Sequence, residues 1–540
     1  MRIGILIKDF EQLSNWELRI IENIKNDSNL ELILLIKDGR SLKKRYQFKT
    51  IISKGVFKIQ KYIERRFLFK ERHTVKKQAV INYLNKIDTI EVRPQKRNFV
   101  DFFDKSQCIV VKQYNLDIIL RHNFGIIRGE ILNSSKYGIW SFHHGDNKIN
   151  RGGPPGFWEM VLDHKFIGVT LQKLTPELDG GIVIDKAYFN KHWSYIKTKD
   201  LIFEGSVSLL FKNIKNLSKN NIRYRKSKLY YNKLYKHPNI FYVFKYLLAF
   251  YSTLSKKIFQ LFLSKLFAIR FYKWSLFIGN GDFLNSTLYR VKPVEMPRGE
   301  YWADPFIHKF NNELYVFFEN FTYKDKKGKI SCGKIVDSKI EEVVDVLDLE
   351  YHLSFPFLFE EKGSLFMIPE TNQNKRLEIY KCLKFPKKWE LYSTAFEGEI
   401  IADSHVYKEN ENLWLFLNKA QNSILPIDNE LYIYKIDSLK LNKITPHSQN
   451  PVIIDSRVAR NAGGIFEYNG ICYRPSQANI EGIYGRNLNI NEIKKINIDE
   501  YEEKISEIVK PNFLRNIRSV HHVAVSEKYF VIDAAFKVKI

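Results

Sequence analysis

From about residue 286 the chain repeats itself. Five segments share one plan: a polar-containing strand, a turn, then an aromatic strand that ends in a polar residue. They are WADPFIHKFNNELYVFFE (302–319), SFPFLFEEKGSLFMIPE (354–370), ADSHVYKENENLWLFLN (402–418), RNAGGIFEYNGICYRPS (460–476) and VHHVAVSEKYFVIDA (520–534). With Asp304, Pro356, Ser404, Ala462 and His522 as register marks, the steps are 52, 48, 58 and 60 residues. Roughly 40–50 residues is the length of one four-stranded propeller blade. Five such units over 286–540 predict an all-β, five-bladed β-propeller. A β-sandwich also alternates its strands, but it has no reason to repeat a motif at this period.

The first two hundred residues follow another rule. RIGILI (2–7) reads as a short buried strand, and Ser14 is placed to cap a helix through Trp16, Leu18, Ile21 and Ile24. ELILLIKD (31–38), LDIILRH (116–122), YGIWSFHH (137–144) and IGVTLQKL (167–174) read as further strands. PGFWEMVLDHK (155–165) suits a helix with proline in its first turn. This alternation predicts a mostly parallel, doubly wound α/β domain over 1–200. No GxGxxG follows the first strand, so the pattern does not support a dinucleotide site. A chain of 540 residues is too long for one core. The expected fold class is therefore multidomain: the α/β domain, a connector over 201–285, and the propeller.

The connector is expected to be helical because of its charge and its aromatics. The formal net charge is +26, from 86 Lys+Arg and 60 Asp+Glu. Segment 43–77 holds 13 basic and two acidic residues, and segment 210–275 holds 15 basic and no acidic ones. Those segments sum to +26, which leaves 58 against 58 elsewhere. Segment 240–275 interleaves Phe, Tyr and Leu with Lys245, Lys256, Lys257, Lys265, Arg270 and Lys273. A basic, aromatic-rich amphipathic helix fits an anionic membrane surface. Packing between domains and binding to RNA stay open as the other readings. Nucleic acid is the least favoured partner, because the aromatics sit in long apolar runs.

Four scattered cysteines without a CxxC pair argue for a reducing compartment and against a zinc site, so no metal is expected. The N-terminus lacks the shape of a signal peptide, and the longest apolar stretch, Ile240 to Leu254, is interrupted by Lys245. These features point to a cytoplasmic protein, peripheral at the inner face of a membrane if segment 210–275 binds lipid.

The chemistry of the front domain gathers in 138–184, GIWSFHHGDNKINRGGPPGFWEMVLDHKFIGVTLQKLTPELDGGIVI. It contains Ser141-Phe142-His143, Arg151-Gly152-Gly153, Gly168-Val169-Thr170 and Leu178-Asp179-Gly180-Gly181. The order and spacing of these four elements resemble the catalytic half of the folate-dependent formyltransferases, which act on glycinamide ribonucleotide, methionyl-tRNA or sugar nucleotides. The resemblance covers about residues 1–190. It implies 10-formyltetrahydrofolate as donor, with His143 and Asp179 as the catalytic pair. An imidazole near neutral pKa relays the proton of the attacking amine, and a carboxylate beside it sets the tautomer. Gly180 and Gly181 would bend the loop around the cofactor. Arg151 would either hold a substrate phosphate or pin its own loop. At the position of the family's oxyanion-donating asparagine stands Ser141, a shorter donor. His144 or Asn147, from the same loop, would be the substitutes.

In a propeller the innermost strands line one axis, so Asp304, Asp403, Arg460, His521 and His522 are expected to face one funnel. Glu319, Glu370 and Arg474 would reach it from the ends of the second strands. Separated carboxylates such as Asp304, Glu370 and Asp403 are similar to the acid and base of five-bladed glycoside hydrolases. The segment as a whole, about 286–540, resembles the N-terminal region of glucosamine inositolphosphorylceramide transferases. Hydrogen bonding at blade ends, sugar recognition and a second active site stay open for these groups. Together the resemblances imply an N-formyltransferase-like enzyme acting on a nucleotide- or lipid-linked amino sugar in cell-surface glycan assembly. A glycan-binding or glycosyl-transferring protein with a non-formylating front domain is one alternative, and methionyl-tRNA formylation is the other.

Overall fold

RIGILI becomes β1 (Arg2–Ile7), whose apolar run is buried because the strand is central in its sheet. The structure, a computed structural model, describes residues 1–40, 51–69, 75–177, 181–219, 230–267, 271–422 and 424–538. The chain forms two compact units. The first is Met1–Ala187 with Lys191–Ser252, and the second is Tyr188–Asn190 with Thr253–Ile540.

In the first unit β1 is followed by α1 (Asn15–Asn26), which starts on a reciprocal capping box of Ser14 and Glu17. Then come β2 (Glu31–Asp38), α2 (Ile51–Ile63), α3 (Lys77–Leu84) and β3 (Asp88–Val92). β4 (Gln95–Arg97) and β5 (Val100–Phe102) precede α4 (Lys105–Gln113), β6 (Ile118–Arg121) and β7 (Ile126–Arg128). β8 (Ile139–His143), α5 (Phe157–Val161), β9 (Ile167–Lys173) and β10 (Ile182–Phe189) complete the strands. α6 (Tyr195–Ser218) follows, then α7 (Ile240–Phe267), which belongs to the first unit as far as Ser252 and to the second from Thr253 on. Among the described residues the main sheet has the order β10-β9-β8-β6-β1-β2-β3, with β4, β5 and β7 in a small separate sheet. β1 lies parallel to β2 and β6, β2 to β3, and β6 to β8, while β9 runs antiparallel to β8. The winding reverses at β1. The C-terminal ends of the strands beside such a switch point are where an open α/β sheet takes its ligand.

The segment expected to stand apart as a connector, 201–285, is divided between the units. α6 packs in the first, where Arg19 of α1 bonds Glu204 at 2.7 Å. Tyr272–Asn280 pairs antiparallel with Tyr529–Lys537, near the end of the chain, inside a sheet of the second unit. Register explains the difference: a strand can pair with a segment roughly 260 residues away, and no local signal announces that partner.

Among its described residues the second unit holds five antiparallel sheets. The first four are sequential, starting with Glu300–Phe310, Ser354–Glu361, Ile401–Glu409 and Phe466–Tyr468. The fifth joins Lys292–Pro293 and Tyr272–Asn280 to Tyr529–Lys537 and Ile517–Val525. Apolar clusters link consecutive sheets: Phe317 and Met367 join the first and second, Phe357 and Leu415 the second and third. Phe416 and Ile496 join the third and fourth, Tyr473 and Val523 the fourth and fifth, and Val531 and Phe318 the fifth and first. The contacts therefore run in a closed cycle. The first strands of three sheets also share a bulge, at Ala303/Phe306, Ser354/Phe357 and Ala402/His405. At each one a residue takes positive φ: Asp304, Phe355 and Asp403. A bulge re-aims side chains at a sheet edge, and the repeat's register marks sit on or beside these positions.

Candidate functional site

In the first unit, β6 and β8 end side by side and carry Arg121-His122 and His143-His144 off the sheet. His143 is half-buried, and its Nε2 lies 2.5 Å from the Asn150 carbonyl oxygen. A carbonyl only accepts, so Nε2 carries a proton, and in the neutral ring Nδ1 is the basic nitrogen. Three glycines permit the loop that makes this contact. A Cβ on Gly145 would lie 3.0 Å from His143 Nε2, and one on Gly168 would lie 2.9 Å from the Asp146 backbone nitrogen. A Cβ on Gly152 would meet the Tyr235 carbonyl oxygen at 1.8 Å. Thr170 donates to the Gly145 carbonyl at 3.0 Å, and Asn150 accepts from the Gly152 amide at 2.7 Å. The Gly-Val-Thr and Arg-Gly-Gly motifs thus have packing jobs around one histidine. Gly152→Ala is expected to destabilise the first unit by about 1–3 kcal/mol, because a backbone oxygen has nowhere cheap to go. Thermal melting checks this, and an unshifted transition would show that the loop swings freely.

The other expected residues of this site fare differently. Asp179 and Gly180 lie outside the described residues. Ser141 is buried, and its hydroxyl accepts from Arg121 Nε at 2.9 Å. It therefore orients an arginine where the sequence led us to expect an oxyanion donor. His144 packs among Trp16, Phe142 and Phe203, where burial pushes its imidazole down to about 3 and keeps the ring neutral, and its Nε2 is buried without a partner. Asn147 is buried with its amide nitrogen Nδ2 unpaired, and it remains the available amide on this loop. Arg151 stacks on Tyr230, 4.5 Å from ring centre, and donates to the Asn147 carbonyl at 2.9 Å. These contacts pin the loop. Gly181 has no positive φ, and its tight neighbour is the Lys173 carbonyl, 2.9 Å from a built Cβ. It serves close packing against β9, where a sharp bend was expected.

Sequence reasoning missed a second polar group here. Glu17 of α1 accepts from Asn123 at 2.8 Å and faces His122 Nδ1 at 3.3 Å. Burial alone would raise its carboxyl, but His122 and Ser14 hold it below the usual range. The signal was the Arg-His pair closing LDIILRH.

In the second unit the predicted funnel residues meet. Asp533 accepts from the Asp304 amide at 2.9 Å and from His521 Nδ1 at 2.6 Å. His521 Nε2 and His522 Nδ1 face Asp304 at 3.6 and 3.4 Å. Burial would lower the His521 imidazole, but Asp533 and then Asp304 raise it, while Trp274 stacks on the ring at 4.0 Å. Arg460 Nε donates to Asp403 at 2.6 Å, and Nη2 reaches Glu370 at 3.3 Å. Tyr484 lies under the guanidinium, 5.2 Å from ring centre. Burial and then Asp403 push the Glu370 carboxyl up, and burial and then Asp304 do the same to Glu319. Asp304 goes the other way, because the two histidines offset its burial. Carboxyls driven apart in this way can hold a proton on one and a charge on another. Asp304, His521 and Asp533 also bring ligand-type atoms within 4.8 Å of one another, although the bonds just described already occupy both Asp533 oxygens.

Arg474 does not belong to this group. It is fully buried, bonding Glu503 at 2.7 Å and Asn461 at 2.9 Å, and it fastens the fourth sheet internally. Asp533, Trp274 and Tyr484 were missed. Asp533 was findable, since it follows the apolar run of the second strand of the fifth repeat as Glu319 and Glu370 follow theirs. Glu370→Gln is expected to raise stability at neutral pH by about 1 kcal/mol. The sign follows from the raised folded pKa: stability falls as pH climbs from the unfolded value, ~4.3, through the folded one. The variant should lose that slope, so melting curves of the two proteins should converge toward pH 4. A destabilised variant at pH 7 would refute it.

A family model described as "Glucosamine inositolphosphorylceramide transferase 1, N-terminal" matches residues 289–526, within the segment that sequence analysis likened to that region. The glucosamine inositolphosphorylceramide transferase 1 of Oryza sativa subsp. japonica is 32% identical over 230 residues, which are 41% of this chain and 30% of that protein. The chain thus spans less than a third of that relative's length. Among solved structures, a family 117 glycoside hydrolase of Zobellia galactanivorans aligns with a TM-score of 0.32 at 11% identity, over 49% of this chain and 90% of its own. A sugar N-formyltransferase of Shewanella sp FDAARGOS_354 aligns at 0.29 and 12% identity, over 46% and 88%.

Proposed function

We propose that the chain is a glycan-assembly transferase whose first unit moves a formyl group to the amine of a nucleotide- or lipid-linked amino sugar. The observation that carries this reading is His143. It sits at the C-terminal end of a parallel strand, with Nε2 donating to the Asn150 carbonyl oxygen at 2.5 Å. The loop beside it offers one unpaired buried amide, Asn147 Nδ2, which suits an oxygen acceptor such as a formyl oxygen. 10-Formyltetrahydrofolate would supply the one-carbon group when bound. His143 would take the proton of the attacking amine, and Asn147 would hold the carbonyl oxygen. Arg121, oriented by Ser141, places a cation at the same strand ends.

In the second unit, the cyclic order of five sheets supports a five-bladed propeller. Its carboxylates, Arg460 and His521 would hold the carbohydrate, with Trp274 and Tyr484 as apolar faces for a sugar ring. A second reading is favoured by Ser141, whose hydroxyl already serves Arg121. On that reading the front unit does not formylate, and the second unit is the binding or glycosyl-transferring part. Incubation with 10-formyltetrahydrofolate and a panel of nucleotide-linked amino sugars separates the two. Tetrahydrofolate release that depends on the sugar supports formylation. Sugar binding without it supports the second reading.

A further inference from the structure

α2 and the turn that follows it, Glu64–Leu68, bury Ser53, Gln60 and Glu64 beside Phe57, and leave Ile52, Ile59 and Phe67 74%, 62% and 71% exposed. An ordinary surface helix keeps such apolar side chains inside. The inward polar side is well employed. Glu64 accepts from Ser194 Oγ at 2.5 Å and from the Ile196 amide at 3.2 Å, at the start of α6. It also accepts from Tyr246 of α7 at 2.6 Å, and Tyr251 of α7 donates to Gln60 at 2.9 Å. α7 is thereby laid alongside α2. It buries Val243, Tyr246 and Phe250 and exposes Phe241, Phe244 and Leu248.

The charge of this face has one sign. α2 with its following turn carries Lys54, Lys58, Lys61, Arg65 and Arg66, and the part of α7 beside it carries Lys245. Neither helix holds an acid, and Glu64, the one acid of the turn after α2, is buried. No helix among the described residues is long and apolar enough to cross a membrane. We propose that the paired α2–α7 face is a docking platform for an anionic membrane surface. Its aliphatic and aromatic side chains enter the headgroup boundary, and its lysines and arginines meet lipid phosphates. In the sequence the basic segments 43–77 and 210–275 stand apart, and the Glu64 and Gln60 bonds bring α2 and the first part of α7 together. RNA is less apt, since a phosphate backbone needs the cations and leaves the exposed Leu, Ile and Phe side chains in water.

The test is co-sedimentation of the full chain with vesicles of phosphatidylcholine containing about 30% phosphatidylglycerol. Wild type is expected to pellet with these and not with pure phosphatidylcholine. Binding should fall at least tenfold toward about 0.5 M salt, where the Debye length is ~4 Å, yet persist in part. A Phe241→Ser, Phe244→Ser, Leu248→Ser variant should lose the salt-resistant part. A Lys54→Gln, Lys58→Gln, Lys245→Gln variant should lose the salt-sensitive part, and these exposed lysines can change without disturbing the core. No binding to anionic vesicles overturns the proposal. So does displacement of the protein from vesicles by tRNA with the serine variant unaffected, which would assign the face to RNA. A concentration-dependent dimer abolished by the serine variant, without vesicle binding, would assign it to a second copy of the chain.

Discussion

His143→Ala is expected to lower formyl transfer by about 10²–10⁴-fold while leaving the melting temperature close to that of wild type. The loop does not rely on the imidazole alone. Thr170 holds Gly145, Asn150 holds Gly152, and Arg151 holds Asn147, so the Asn150 carbonyl loses one partner without releasing its neighbours. A half-exposed ring at a strand end also leaves no sealed cavity behind. The measurement is turnover of an accepted amino sugar over a range of pH, alongside thermal melting. If His143 is the proton acceptor, the wild-type rate should fall as acid protonates Nδ1, and that limb should vanish in the variant. Wild-type turnover by purified His143→Ala would end the assignment. Loss of activity together with a collapsed melting temperature would mark a structural residue.

Arg460→Met is expected to cost about 3–5 kcal/mol of stability. The guanidinium bonds Asp403 and Glu370 at once, and both are buried. Without it the buried Asp403 loses its counter-charge, and Glu370, which burial and Asp403 already push up, loses the one cation that favours its ionised form. Arg460→Lys keeps the charge but not the two-oxygen reach, so it should fall between them. Calorimetry read on the transition of the second unit checks the series. An unshifted transition in Arg460→Met would show that water, rather than the arginine, satisfies these carboxylates.

Much of the architecture is local and could be read from the chain. Period-two alternation recurs in each repeat because each four-stranded sheet must present the same face to its neighbour. The bulged positions are marked too, since Asp304 and Asp403 recur at equivalent points of ADPF and ADSH. The glycines of the front loop were legible as motif members, although their reason, a carbonyl of Tyr235 or the backbone of Asp146 arriving within contact distance, was not. Distant partners decided the rest. Ser141 is an acceptor for Arg121 because the parallel sheet sets β6 beside β8. Tyr272–Asn280 looks like the end of a basic connector until Tyr529–Lys537 pairs with it. Segment 43–77 reads only as a basic run. Ser194 and Tyr246, 130 and 182 residues from Glu64, satisfy that buried carboxylate and so set which side of α2 and its following turn faces in. A hydrophobic pattern states which residues share a face. Which face is inside depends on where the hydrogen-bond partners of the other face lie, and only the folded chain brings those together.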